Sequence, residues 1–333
     1  MARPRIAALH PTAAVEGGRI TIEGADLVAD EARLPEVRIG ALPAQVVRAS
    51  REALSVIVPS GAEGGRTPVR VGAAAGETAF LQVGRPVATG LHQVDNPAVD
   101  ADGSIYVTYS GTRGEKSPVS VFRVRRDGFR EPFVTGITNA TSLAFAPDGR
   151  LHVSSRFEGT VYRVAEDGSF EVVVSELGVA CGLAFSPDGT LYVGDRSGTV
   201  FRVASSGRAV AFATLPSSVA AYHLAWGPDD GLYLTGPTLA SYDSVYRIDR
   251  TGKVDRMTAR FGRPQGLAFD AHGSLHVVEA LAGLSGVCRF DPDGAATAEV
   301  LSARNLVGLA FDPTGGVVVA SSDTVYRLDA VAP

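Results

Sequence analysis

The sequence predicts an all-β chain, with an N-terminal β-sandwich over residues 1–84 and a six-bladed β-propeller over residues 85–333. Three observations carry that prediction. A unit of roughly 40 residues recurs six times after residue 85, a period that marks propeller blades. Seven short Gly- and Pro-punctuated strand patterns precede it. No apolar run approaches the ~20 residues that a membrane-spanning helix needs.

The recurring string reads NPAVDADGSIYV, SLAFAPDGRLHV, GLAFSPDGTLYV, HLAWGPDDGLYL, GLAFDAHGSLHV and GLAFDPTGGVVV. Its turn residue falls at Gly103, Gly149, Gly189, Asp230, Gly273 and Gly315, so the spacings are 46, 40, 41, 43 and 42. Each unit supplies an inner strand, a turn, a second strand with period-two alternation, a third strand of V-Y-R-V type and a fourth strand. The third strands begin at Val121, Val161, Val200, Val245, Val287 and Val325. The last unit stops after its third strand, while the segment from Pro86 aligns with the fourth strand that begins at Pro132. The N-terminal strand is therefore expected to complete the last blade and remove an open sheet edge.

Residues 1–84 hold nine basic and nine acidic side chains, so the net charge of −5 lies in the repeats. A mildly acidic propeller argues against binding a phosphate backbone, and neither nucleic acid nor membrane is expected as a partner. The opening MARPRIAALHPTAAVEGG lacks a secretory apolar core, because His10 and Pro11 break it. Its literal reading is cytoplasmic; a secreted or periplasmic chain from which a leader had been removed would read the same. Cys181 and Cys288 lie in different repeats and suggest no disulfide framework.

The unit resembles the NHL repeat and the related propellers of the senescence-marker-protein/gluconolactonase and strictosidine-synthase-like families. The N-terminal order P-x-I-x-x-L-x-P, G-G-x-I-T-I-x-G, V-x-I-G and L-x-V-x-V-P resembles the immunoglobulin-like IPT/TIG domain. That second resemblance implies a spacer or interaction module, and hence a protein partner through it.

Comparing repeats separates scaffold from site. Arg123, Arg163, Arg202, Arg247, Arg289 and Arg327 fill one position in every repeat and are expected to bridge strands or neighbouring blades. His152 and His276 fill a slot that holds Tyr106, Tyr192 and Tyr233 elsewhere, which makes them packing residues. The position where the inner strand enters the channel varies instead: Asp95, Thr141, Cys181, Tyr222, Gln265 and Val307. Asn96, Ser142 and His223 lie beside them. Loops on that face add His92, Arg263, Arg156, Arg196, Glu158, Glu279 and Tyr242, and three of the loops, SGTRGEKSP, TGPTLASYD and EALAGLSG, are long.

The gluconolactonase resemblance implies a divalent metal at the channel mouth. Its Glu, Asn and Asp ligand positions fall on Asp95, Cys181 and Gln265, and the Asn of its substrate-side pair falls on Thr141. One carboxylate, one amide and a thiol make a poor set for a hard cation. The alternative metal set is Asp95, His92 and His223, for Ca²⁺, Zn²⁺ or Mn²⁺, with Asp95 and His223 as the catalytic candidates. Cys181 is a candidate nucleophile with His223 or Arg263 as its activating neighbour, and Glu279 and Glu158 are candidates for a lyase-type acid. Trp226 replaces a repeat Phe and is expected in the core.

The leading expectation is a binding or scaffold protein. It recognises a small organic molecule, glycan or peptide at the channel mouth through Asn96, Thr141, Cys181, Tyr222, Gln265, Arg263 and Tyr242. The alternative is a gluconolactonase-like hydrolase or lyase with an altered metal site.

Overall fold

The computed structural model describes residues 4–28, 33–72, 78–257, 260–281, 285–290 and 297–329. Residues 282–284 of the third long loop lie outside them. Every regular element among the described residues is a strand, and no helix is long and apolar enough to cross a membrane.

Five sheets of four antiparallel strands stand separately. One is Ala140–Phe145, Leu151–Ser155, Thr160–Val164 and Phe170–Val174, in chain order from the inside outward. First strands of successive repeats touch, and Ala98–Val99 touches both Ala140–Phe145 and Leu306–Phe311. The sheet of the last repeat takes its fourth strand from Arg85–Ala88, which pairs antiparallel with Val325–Leu328 in the register Val325 to Ala88 and Tyr326 to Pro86.

The repeat's residue choices have local causes. Gly103, Gly149, Gly189, Gly273 and Gly315 all adopt φ of 80–85°, and Asp230 adopts 60° at the same turn. The preceding carboxylate tightens the turn: Asp188 Oδ1 accepts the Thr190 N–H at 3.1 Å, and Asp312 Oδ1 accepts those of Thr314 and Gly316 at 2.8 and 2.9 Å. A Cβ on Gly189 would meet nothing within 4 Å. Gly189→Ala therefore isolates the backbone cost, and urea denaturation is expected to show a loss of about 1 kcal/mol. An unchanged midpoint would mean that the turn relaxes out of the left-handed region.

Between sheets, the second-strand aromatic of one repeat packs against the inner-strand aromatic of the next. Tyr106 meets Phe145, His152 meets Phe185, Tyr233 meets Phe269 and His276 meets Phe311, edge-on with centroids 4.8–5.4 Å apart. Trp226 takes the Phe place against Tyr192 at 5.2 Å. Such contacts add about 0.5–1.5 kcal/mol each beyond area burial. The repeated arginines pair mostly within their own repeats: Arg123 with Glu131 at 2.5 Å, Arg247 with Asp229 and Arg327 with Asp312 at 2.6 Å, Arg163 with Glu171, and Arg202 lies over Phe212, while Arg327 also donates to the Gly103 carbonyl of the next repeat at 3.4 Å.

The sandwich strands are Arg5–His10, Arg19–Ala25, Val37–Ile39, Leu42–Ala49, Ala53–Ile57, Gly65–Val71 and Ala79–Val83, around a core that includes Ile20, Ile22, Leu54, Val56, Val69 and Leu81. An eighth strand, Ala13–Ala14, has no counterpart in the sequence pattern. It runs parallel to Ala79–Val83 on one side and to Thr297–Ser302 on the other.

That pairing corrects the expectation of six separate blades. The fifth repeat's strands, Pro264–Phe269, Leu275–Glu279, Gly286–Phe290 and Thr297–Ser302, belong to a twelve-stranded sheet continuous with the sandwich. The cause is a seam of hydrogen bonds and apolar contacts. The Val15 N–H donates to the Ser302 carbonyl at 3.0 Å, the Arg19 N–H to Ser302 Oγ at 3.0 Å, and the Tyr326 hydroxyl to Glu16 Oε1 at 2.9 Å. Ala13 and Val15 share one buried cluster with Val278, Val287, Leu301 and Leu328.

Candidate functional site

Three columns of the repeat converge at one end of the channel. The first is the entry position; the second lies two residues before it; the third follows the second strand. Together they line a pocket of about 450 Å³. Thr141, Cys181, Gln265 and Val307 come from the entry column, and Gln93, Val179, Ala220, Arg263 and Asn305 from the one before it. The third column gives Arg156, Arg196, Ala280 and Ser322. Aliphatic and polar groups therefore mix around the mouth, as in pockets for small organic ligands.

The residue just inside the entry position is glycine in three repeats, for a packing reason. A Cβ at Gly182, Gly266 or Gly308 would come within 2.5 Å of Tyr222 or Asn96 atoms. His223 and Asn96 occupy the same column in the fourth and first repeats. His223 is fully buried, and its Nδ1 hydrogen-bonds Asp95 Oδ1 from three repeats away. Its Nε2 lies 3.2 Å from Gln265 Oε1. Asp95, also buried, accepts the Asn96 N–H at 2.7 Å. Asp95 and His223 thus form a strut beneath the pocket, linked to its lining by Gln265 at His223 and by Gln93, which donates to the Asp95 carbonyl at 2.7 Å. As placed, neither of the two catalytic candidates borders the pocket.

Several expected contacts lie elsewhere. Asn96 bridges three repeats, donating to the Leu267 carbonyl and accepting the Leu309 N–H, both at 3.0 Å. Tyr222 is buried where Gly194 and Gly236 leave room for it, with its hydroxyl donating to the Pro216 carbonyl, so it builds no aromatic wall. Tyr242 is exposed and does not border the pocket. His92 lines the pocket with its ring edge-on to Tyr109. Burial and then the Arg156 guanidinium hold His92 below the usual histidine range.

The described residues hold no group of three or more His, Cys, Asp or Glu placed to bind a metal ion. The gluconolactonase-type positions do not fit one either, since Asp95 is engaged by His223 and Asn96 while burial pushes the Cys181 thiol up to about 12. That shift also answers the nucleophile expectation: a thiol so placed stays protonated at neutral pH. Native protein at pH 8 is expected to react slowly with a thiol reagent at Cys181 and, with its thiol likewise at about 12, at Cys288. Both should label fully on denaturation. Fast native labelling of Cys181 would show an activating group that the geometry lacks.

The carboxylates of this face pin loops. Glu279 accepts the N–H groups of Gly262, Arg263 and Leu281 at 2.6–2.9 Å. Asp195 accepts the Val179 N–H at 2.8 Å, and Asp243 takes the Thr238 N–H and hydroxyl. Glu158 is exposed and accepts the Tyr162 hydroxyl. The sequence comparison placed Arg156 and Arg196 on this face without singling them out. Their signal was present, because only the second and third repeats carry Arg directly after the second strand.

Residues 4–81 match the IPT/TIG domain family. Across solved structures the chain is similar to a gluconolactonase from Xanthomonas campestris, at 15% identity and TM-score 0.63 over 89% of this chain and 97% of that one. It is also similar to an auxiliary nutrient binding protein from Bacteroides ovatus, at 15% identity and TM-score 0.57 over 98% of each. A third is the catalytically inactive virginiamycin B lyase from Staphylococcus aureus with quinupristin, at 13% identity and TM-score 0.53 over 90% and 100%. At such identities the likeness is one of fold, a β-propeller. No curated protein matches the chain.

Proposed function

We propose that the protein binds a small organic ligand in the channel-mouth pocket, held by Thr141, Gln265 and Arg263 with Cys181 as an inert wall. The observation that carries this reading is a 450 Å³ pocket of aliphatic, amide and guanidinium groups whose nearest acid–base pair is sealed beneath it. The nutrient-binding neighbour supports a binding role on the same fold. In this reading the fifth repeat's quartet counts as one of six blades in a ring closed by Arg85–Ala88, residues 1–84 are the sandwich, and its outer strands are free to meet a protein partner.

A second reading, a hydrolase or lyase with an altered metal site, is favoured by one feature: the chain from Asp95 through His223 to Gln265 ends at the pocket floor. Metal analysis of purified protein, with a lactone and ester panel run with and without Ca²⁺, Zn²⁺ and Mn²⁺, separates the two. Saturable binding without turnover is expected. Metal-dependent turnover that Asp95→Asn abolishes in folded protein would replace the binding reading.

A further inference from the structure

Arg156, Arg196 and Arg263 all border the pocket, each alone in its column or shared with one neighbour, unlike the arginines that recur in every third strand. Five of the six recurring arginines, Arg123, Arg163, Arg202, Arg247 and Arg327, make ion pairs or stack on an aromatic ring. Among the described residues no ion pair involves these three. Of the carboxylates on this face, Asp195 and Glu279 accept backbone N–H groups, Glu158 accepts the Tyr162 hydroxyl, and Asp95 is engaged by His223. Among the described residues no Asp or Glu borders the pocket.

Like charges reinforce one another there. Beyond burial, Arg113 and Arg196 both push the half-buried Arg156 guanidinium down from its ordinary range, the nearby Cys181 opposing them. Three cations around one cavity repel each other unless something negative sits between them. A guanidinium's planar fork suits a carboxylate or phosphate group in two-point contact. The aliphatic stretches formed by Val94, Val179, Val219, Leu306 and Val307 suit a carbon skeleton rather than a bare inorganic ion.

We propose that the natural ligand of this pocket is an organic anion carrying at least two negative charges, clamped by Arg156, Arg196 and Arg263. The assignment rests on the channel-mouth reading and narrows it to a charge class. It also separates this pocket from one built for a neutral sugar or lactone, which would have no use for three guanidiniums.

Two charge ladders on fixed skeletons test it by calorimetry with the full chain: glucitol, gluconate and glucarate, and benzyl alcohol, benzoate and isophthalate. Inorganic phosphate serves as the charge-only probe. On at least one skeleton affinity is expected to rise at each added carboxylate, to exceed that for phosphate, and to fall as salt is raised. Arg156→Gln and Arg196→Gln should each weaken the dianion by about tenfold to a hundredfold, with neutral-probe binding and the near-ultraviolet dichroism unchanged. A neutral probe that binds as well as its dianion, phosphate that binds as well as either dianion, or a dianion indifferent to both substitutions would overturn the charge assignment and leave the channel-mouth reading standing. Absence of binding by every probe would overturn both.

Discussion

Val15→Asp is expected to lose on the order of 4 kcal/mol of stability, against ~0.5 kcal/mol or less for Val47→Asp on the exposed sandwich surface. Val15 is 1% exposed and belongs to the cluster of Val278, Val287, Leu301 and Leu328, so an aspartate there has neither water nor a cation. Val47 is 43% exposed. The size of the difference matters because a domain's whole stability is about 5–15 kcal/mol. Urea denaturation followed by tryptophan fluorescence reads it conveniently, since Trp226, the only tryptophan, lies in a repeat far along the chain from residue 15. A shift of that signal by a sandwich substitution would show that the two parts unfold together.

The same seam predicts the fate of residues 85–333 alone. Removing residues 1–84 keeps Arg85–Ala88 but uncovers the Ser302 carbonyl and the apolar side chains that Ala13 and Val15 cover. The shortened chain should bind a hydrophobic dye and aggregate on concentration. If it stayed monomeric and as stable as the full chain, the seam would be a contact of convenience.

The second large effect is expected at the strut. Asp95→Ala leaves His223 fully buried without its partner, and His223→Ala leaves the Asp95 carboxylate with one backbone N–H; each is expected to cost about 3–5 kcal/mol. The double substitution should cost clearly less than the sum, because the second change removes the group that the first had stranded. Thermal and urea unfolding of the four proteins gives the coupling directly. Additive losses would mean that the two side chains do not depend on each other. If Asp95→Asn proved as stable as the parent yet abolished a turnover, the pair's role would be chemical rather than structural.

Much of the fold was legible because repetition shows a residue's purpose. A glycine at φ near 80° in five turns, an arginine in six third strands and an aromatic packed against the next repeat each answer one demand made again and again. The entry column was equally legible as a place where that demand lapses. The seam was not legible. Ala13–Ala14 is too short to show alternation, and its partners lie about 70 and 290 residues away, held by backbone hydrogen bonds that leave no mark on side-chain choice.

Within the site, the variable columns were found from the sequence, but their allocation was not. Tyr222 and His223 are adjacent polar residues of one strand, and the sequence offered both as ligand contacts. Whether each faces the cavity or the packing beneath it depends on which neighbours lack a Cβ: Gly194 and Gly236 accommodate the Tyr222 side chain, while Gly182, Gly266 and Gly308 let the Tyr222 and Asn96 segments pack closely against them.

The sequence by itself determined the all-β class, the recurring unit, the structural standing of its repeated residues and the end of the channel where variation collects, because local turn, strand and packing needs act over a few residues and recur. Only the tertiary structure decided that Asp95 reaches His223, that Ala13–Ala14 joins the sandwich to the fifth repeat, and that three guanidiniums from separate loops share one cavity. Those pairings join residues that are distant along the chain, and neither composition nor period records which distant groups the closed ring brings within a few ångströms of each other.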